Sequence, residues 1–186
     1  MSMEFEEAFQ LSVVKWEKFK LSNIPGDTGG ETFAGITKKW FPEWPGWKLL
    51  LGKGGVEAAT IKKFVQDFYQ DMWNKLRCDE MPGPIARVVF DTRILQGPHP
   101  AGYVLQRGMN IANNEEEFWD DLVEDGWVGD KTIAAVKQVD GYLTQRVVQA
   151  MVLARAAMIY DLIAECPENE KFFGWVPRVL DPDFLF

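Results

Sequence analysis

Glu17 stands beside Trp16 at the end of an apolar stretch, and the loop that follows carries Asp27, Glu31, Thr32 and Thr37 among several glycines. Those residue types suit carboxylate chemistry. His99 is the only histidine, and the two cysteines, Cys78 and Cys166, belong to no CxxC pattern. A Ser/His/Asp triad, a Cys/His dyad and a zinc site therefore all lack partners, so no metal or cofactor is expected and the thiols are expected to be reduced. A reaction that carboxylates alone can run is hydrolysis of a glycosidic bond. It needs a carboxyl proton donor and, across the sugar, either a nucleophile about 5 Å away or a water-holding base roughly 6.5–9.5 Å away. Burial against an aromatic wall and a place at the C-terminal end of a helix both favour a carboxyl group that keeps its proton. Trp16 and the helix end offer both to Glu17. The competing reading, a solvated glutamate on a helix surface, stays open on composition alone.

The elements that would hold these residues are mainly helical. Phe5, Ala8, Phe9, Val13 and Trp16 recur at threes and fours, with Ser2 as N-cap and Glu4, Glu6 and Glu7 where the helix dipole favours negative charge. This predicts a helix to about Lys20. Residues 22 to 55 are rich in Gly and Pro and leave room only for turns and short strands. Ile61, Phe64, Val65, Phe68, Met72 and Leu76 form the stripe of a second helix. Pro84 opens a helix that is apolar nearly all round and is therefore expected to be buried, with Gly97 and Pro98 as its stop. Asp91 within it is spaced for an i, i+4 ion pair with Arg87, a contact to substrate being the alternative. Short helices are expected over Ala101–Met109 and Lys131–Gln138, a long one from Tyr142 to Ala164, and a last one around Phe172, Phe173 and Val176 before Pro177. The acidic run Glu115–Glu117 with Asp120 and Asp121 reads as a solvated helix face, because it lacks the spacing of a calcium loop. His99, between two prolines, reads as a turn residue. Trp40, Trp44 and Trp47 sit in a proline-braced segment that can either present indole faces to sugar rings or close a small core of its own.

The chain has 186 residues, 47% of them hydrophobic and 26% charged, with a net charge of −8. That suits one domain or two small lobes and gives no basic footprint for nucleic acid. The first residues, MSMEFEEAFQ, show neither the basic nor the apolar region of a signal peptide, and no apolar run approaches a membrane span. Synthesis in the cytoplasm without membrane insertion is the expectation.

The order of motifs resembles glycoside hydrolase family 108, the lysozyme-like N-acetylmuramidases also described as secretion activating proteins. The family pattern runs Glu-Gly-Gly-Tyr, then Asp-Pro-Gly-Gly-x-Thr-Asn-x-Gly-Ile-Thr. Glu17 falls on its acid, Asp27 on the aspartate before the glycines, Gly29, Gly30 and Thr32 on the turn, and Gly35, Ile36 and Thr37 on its end. "FVQDFYQDMWNKL", "MPGPIARVVFD" and "YVLQRGMNI" follow in the family's order. "EDGWVGDKTIAAV" and "FFGWVPRV" are similar to its peptidoglycan-binding C-terminal half. The chain departs from the pattern where Lys18, Phe19 and Lys20 replace Gly-Gly-Tyr, and where Phe33 and Leu95 replace asparagines.

The resemblance implies a mostly α, lysozyme-like fold with an irregular Gly/Pro-rich lobe and a buried helix, residues 1–95 being catalytic and 96–186 peptidoglycan-binding, together one compact unit. It further implies a hydrolase of the β-1,4 bond between N-acetylmuramic acid and N-acetylglucosamine. Glu17, Asp27 and Thr32 would be catalytic, and Phe19, Gly29, Gly30, Thr37, Trp44 and Asp91 would bind substrate. Peptidoglycan strands would be the partner, with release to the cell wall or periplasm by lysis or a holin-like pore, as for members encoded in phages or prophages. A peptidoglycan-binding or secretion-associated protein that has lost catalysis is the alternative on the same fold.

Overall fold

In a computed structural model of the chain, residues 3–23, 30–50, 58–165 and 173–184 are described. Packing divides it into two units, Met1–Trp73 and Asn74–Phe186. Among the described residues, eight α-helical segments accompany three strands of two residues each, so the protein is mostly α.

The first unit opens with α1 (Met3–Phe9), whose Phe5, Ala8 and Phe9 are fully buried. From Gln10 to Glu17 the winding loosens to a π-helix instead of continuing as the single α-helix its periodicity predicts. The Lys18 N–H closes it on the Val13 carbonyl at 2.8 Å. A π segment shifts the register of the side chains it carries, and such segments recur at functional sites.

Strands β1 (Leu21–Ser22), β2 (Thr32–Phe33) and β3 (Ile36–Thr37) form an antiparallel sheet in that order. Phe33 pairs with Ile36, both buried, and Thr32 with Thr37, both half-buried. The short helix α2 (Gly46–Leu50) and the 18-residue α3 (Ala58–Lys75) complete the lobe. Ile61, Val65, Tyr69, Met72 and Trp73 of α3 are buried, so Ile61, Val65 and Met72 of the predicted stripe hold, while Phe64 and Phe68 are half-buried and Tyr69 and Trp73 face the core instead. Aromatic edges do much of the packing here: Phe5 meets Trp73 at 5.7 Å, Phe9 meets Tyr69 at 6.2 Å and Phe41 meets Phe68 at 4.8 Å between centroids.

In the second unit, α4 (Gly83–Gln96), α5 (Pro98–Ala112) and α7 (Gly141–Glu165) pack on one another, with α6 (Asp130–Val136) and α8 (Val176–Val179) as short pieces. Pro98 does not simply stop α4. Gly97, at φ 102°, turns the chain, and Pro98 then opens α5 as a proline in its first turn, so α5 is longer than its apolar pattern predicts. His99 consequently lies in a helix rather than a turn. The acidic run also differs from expectation: Asn114, Glu115 and Glu116 have φ of 55°, 61° and 61° and form a turn. The Asn113 side chain enforces it, accepting the Phe118 and Trp119 amides at 3.1 Å each.

Against the expectation that no apolar run approaches a membrane span, helix α7 is long and apolar enough by composition to cross one, its most apolar stretch having mean hydropathy 1.6. In the structure Val147 and Met151 are fully buried and Gly108 of α5 lies against Met151, so core packing accounts for part of that apolarity, while Leu153 and Tyr160 stay exposed.

Candidate active site

Glu17 is the last residue of the π-helix and is half-buried. What holds it is the tip of the β2–β3 hairpin. Ala34 and Gly35 both have positive φ, 49° and 77°, the pattern of a two-residue hairpin loop whose twist matches its strands. A Cβ added to Gly35 would stand 2.8 Å from Glu17 Cγ, 2.9 Å from its carboxyl carbon and 2.6 Å from the Tyr69 hydroxyl oxygen. The bare glycine is thus what lets the carboxyl group of Glu17 rest against the turn. Tyr69, 1% exposed, donates its O–H to the Ala34 carbonyl at 2.7 Å and so fixes the turn from α3.

The residue after Glu17 is unusual. Lys18 has φ 59° and ψ 164°, a region populated almost only by glycine. The backbone there keeps the geometry a glycine would adopt, although the side chain is a lysine.

Phe19 is half-buried, edge-on to Phe9 at 6.4 Å and to Phe33 at 6.2 Å, so its ring joins the lobe's aromatic packing. Thr32 donates its hydroxyl to the Gly30 carbonyl at 3.2 Å and stands directly opposite Thr37 across the strand pair. Gly30, at φ 70°, enters that hairpin. Just beyond it, Lys38 bridges to Glu31 at 2.5 Å and its N–H bonds the Glu31 carbonyl at 2.9 Å, tying the open end of the hairpin together. Asp27 and Gly29 lie outside the described residues, as does Cys166.

Trp44 is 7% exposed and Trp47 4%, so both close the lobe's own core. The Trp44 ring stacks on Phe33 at 6.3 Å and its indole N–H reaches the Phe64 carbonyl at 3.4 Å. An edge of Trp44 nevertheless lines a cavity of about 550 Å³ with Trp40, Pro42, Glu43, Phe64 and Asp67, and Trp40 is 68% exposed there.

Asp91 is placed otherwise than predicted. It is fully buried, and its ion-pair partners are Arg155 of α7 at 2.6 Å and Arg178 of α8 at 2.7 Å rather than Arg87. Burial alone would push its carboxyl group up. The two guanidinium groups outweigh that by charge and hydrogen bonding and hold it below its ordinary value. Arg178 grips both oxygens at 2.9 and 3.1 Å through Nε, so Asp91 is an internal anchor of the second unit with no face for a ligand. Sequence spacing could not reveal this, because both partners lie more than sixty positions along the chain.

Cys78 is a buried free thiol that burial pushes well above its usual range. In the same unit, Gln106 of α5 braces the "EDGWVGDKT" loop. Its carbonyl accepts the Gly126 N–H at 2.8 Å, and its amide donates to Asp125 at 2.7 Å and to the Trp127 carbonyl at 3.0 Å. Gly102 approaches the Gly126 carbonyl so closely that a Cβ would stand 2.0 Å from it. Two motifs far apart in sequence are therefore one structural piece.

The mostly α, lysozyme-like fold thus mounts a half-buried glutamate at a helix end against a β-hairpin. Residues 11–97 match the family Glycosyl hydrolase 108, and residues 101–180 match the Predicted Peptidoglycan domain. The first part of the chain thus matches glycosyl hydrolase family 108 and the second a predicted peptidoglycan domain, and together the two matches support a peptidoglycan hydrolase-like role. Its fold is similar to that in the structure of Brucella abortus SagA, with a TM-score of 0.58 and 24% identity over 94% of this chain and 89% of that one. Among curated proteins, none matches the chain.

Proposed function

We propose that the protein is a lysozyme-type N-acetylmuramidase that cleaves the β-1,4 bond between N-acetylmuramic acid and N-acetylglucosamine. The observation that carries this reading is the seating of the Glu17 carboxyl group against Gly35 at a hairpin tip fixed by Tyr69. A general acid must be held within hydrogen-bond reach of the leaving oxygen, and a helix end braced by a tight turn gives that rigidity. Glu17 would protonate the leaving oxygen. Asp27, with Thr32 nearby, would hold a water or stabilise the oxocarbenium-like transition state, and the separation of the two carboxyl groups would set retention or inversion. Gly29, Gly30, Thr37, Phe19 and the edge of Trp44 would shape the sugar site. Residues 1–95 would be the catalytic part and 96–186 the peptidoglycan-binding part. Access to the wall would come through lysis or a holin-like pore, as for an endolysin of a phage or prophage.

The glycine-like backbone of Lys18 favours retained activity over a fold kept for binding alone, because the chain preserves a costly conformation directly beside Glu17. The test is the chemistry of the products. Peptidoglycan digested with the protein, reduced with borohydride and analysed by mass spectrometry is expected to show reduced muramic acid ends. Reduced glucosamine ends would contradict the assigned bond, and no new ends at all would favour the binding protein.

A further inference from the structure

Eight tryptophans occur in the chain, and one of them is set apart by its surroundings. Trp44, Trp47, Trp73 and Trp119 are at most 7% exposed. Trp16 and Trp40 each have a lysine ammonium over the ring, at 5.7 and 5.2 Å. Trp127 is 76% exposed, the largest value of the eight, and among the described residues neither a cation nor another ring is placed against its indole.

An exposed aromatic on a loose loop would be unremarkable, but the backbone under this one is fixed on every side. The Trp127 N–H donates to Asp125 Oδ1 at 2.9 Å. Its carbonyl accepts the Gln106 amide at 3.0 Å, the Gly129 N–H at 2.9 Å and the Thr132 hydroxyl at 3.4 Å. Gln106 is only 2% exposed, so the bracing comes from inside the unit. Gly126, at φ 76°, lies against the His99 ring and leaves no room for a side chain beside the tryptophan. A buried glutamine and a glycine at positive φ thus hold the backbone beneath one water-exposed indole. A rigid aromatic face loses little entropy when a flat apolar surface stacks on it.

We propose that Trp127 is the sugar-stacking residue of the peptidoglycan-binding part, presenting its indole to the uncharged N-acetylhexosamine units of a glycan strand. This rests on peptidoglycan being the partner. The carbon-bound hydrogens of a pyranose ring form the apolar face that an indole accepts. The local charge selects for a neutral sugar: Glu124 is paired with Arg107 at 2.9 Å and Asp130 with Arg77 at 2.6 Å, whereas Asp125 takes only neutral hydrogen-bond donors. Those donors, the Trp127 amide foremost and the Gln106 side chain, hold its carboxyl group below its ordinary value. An anionic group approaching the loop meets that negative charge.

The test is co-sedimentation with purified insoluble peptidoglycan and titration with a β-1,4 N-acetylglucosamine tetramer, both in a Glu17→Gln background so that nothing is cleaved. Trp127→Ala is expected to weaken both at least tenfold with an unchanged melting temperature, and Trp127→Phe to restore part of the binding. Gln106→Ala is expected to weaken binding too, although its side chain is too buried to touch a ligand. Trp127→Ala binding as well as its parent would overturn the proposal while leaving the peptidoglycan reading intact. A parent that binds neither probe would sink both.

Discussion

Gly35 and Glu17 are in contact such that a single methyl group on Gly35 would fall 2.9 Å from the glutamate's carboxyl carbon. The hairpin tip and the end of the π-helix therefore fix each other. Gly35→Ala must both adopt φ 77° with a Cβ and displace Glu17. It is expected to lower stability by about 1–3 kcal/mol and to lower peptidoglycan hydrolysis by at least about tenfold, since small misplacements of a reacting group are costly. Thermal melts and a reducing-sugar assay on the same preparation check the two together. Unchanged hydrolysis by a folded Gly35→Ala protein would show that this contact does not seat the working carboxyl group.

Tyr69 acts on the same contact from the other side. Tyr69→Phe keeps the ring packed on Phe9 and removes the hydroxyl, and with it the 2.7 Å bond to the Ala34 carbonyl. About 1 kcal/mol of stability is expected to go with that bond, more if the carbonyl stays dry. A positioning role adds a fall in kcat with KM little changed. A stability loss with kcat intact would reduce Tyr69 to packing.

Lys18 gives a prediction of the opposite sign. Its φ of 59° and ψ of 164° cost a lysine about 1–3 kcal/mol, and a glycine pays for its own unfolded-state freedom with roughly 0.5–1 kcal/mol. Lys18→Gly is therefore expected to raise stability by about 1 kcal/mol and to keep hydrolysis. A lower melting temperature would mean that the lysine side chain makes contacts worth more than the strain.

The general outline was legible before the structure. α3 follows from apolar spacing, because it buries one face, α4 follows from its all-round apolarity between Pro84 and Gly97, and the two-part order follows from the motifs. Where the reading failed, the deciding interactions were local backbone features or distant partners. The π winding before Glu17 leaves no mark in periodicity over so short a stretch. Pro98 carries the same letter whether it ends one helix or begins the next, and only Gly97 at positive φ decides. Asp91 shows the limit most clearly, since an i, i+4 arginine is the nearest partner in sequence and Arg155 and Arg178 are the partners in space. Tyr69 did leave a signal that was not used: a tyrosine on a buried helical stripe needs an acceptor for its hydroxyl.

That buried ion group also predicts a pH dependence. The folded-state pKa of Asp91 is depressed by Arg155 and Arg178, so its contribution to stability is complete above the unfolded carboxylate value of about 3.9. It is lost as pH falls through the lower folded value. Melting temperature is expected to drop steeply below about pH 4. Asp91→Asn, which leaves two buried guanidinium groups without a counter-charge, is expected to cost about 3–5 kcal/mol near neutral pH and to flatten the acid drop. A melting curve of Asp91→Asn superimposable on the wild type would refute this account of the second unit.

The central claim is that Glu17 is the proton donor. Turbidity clearing of purified peptidoglycan by the wild type and by Glu17→Gln at equal concentration tests it most directly. The account predicts clearing by the wild type and a rate lower by about 10²–10⁴-fold for the variant, with equal binding to the polymer. Equal clearing by the two proteins would contradict it.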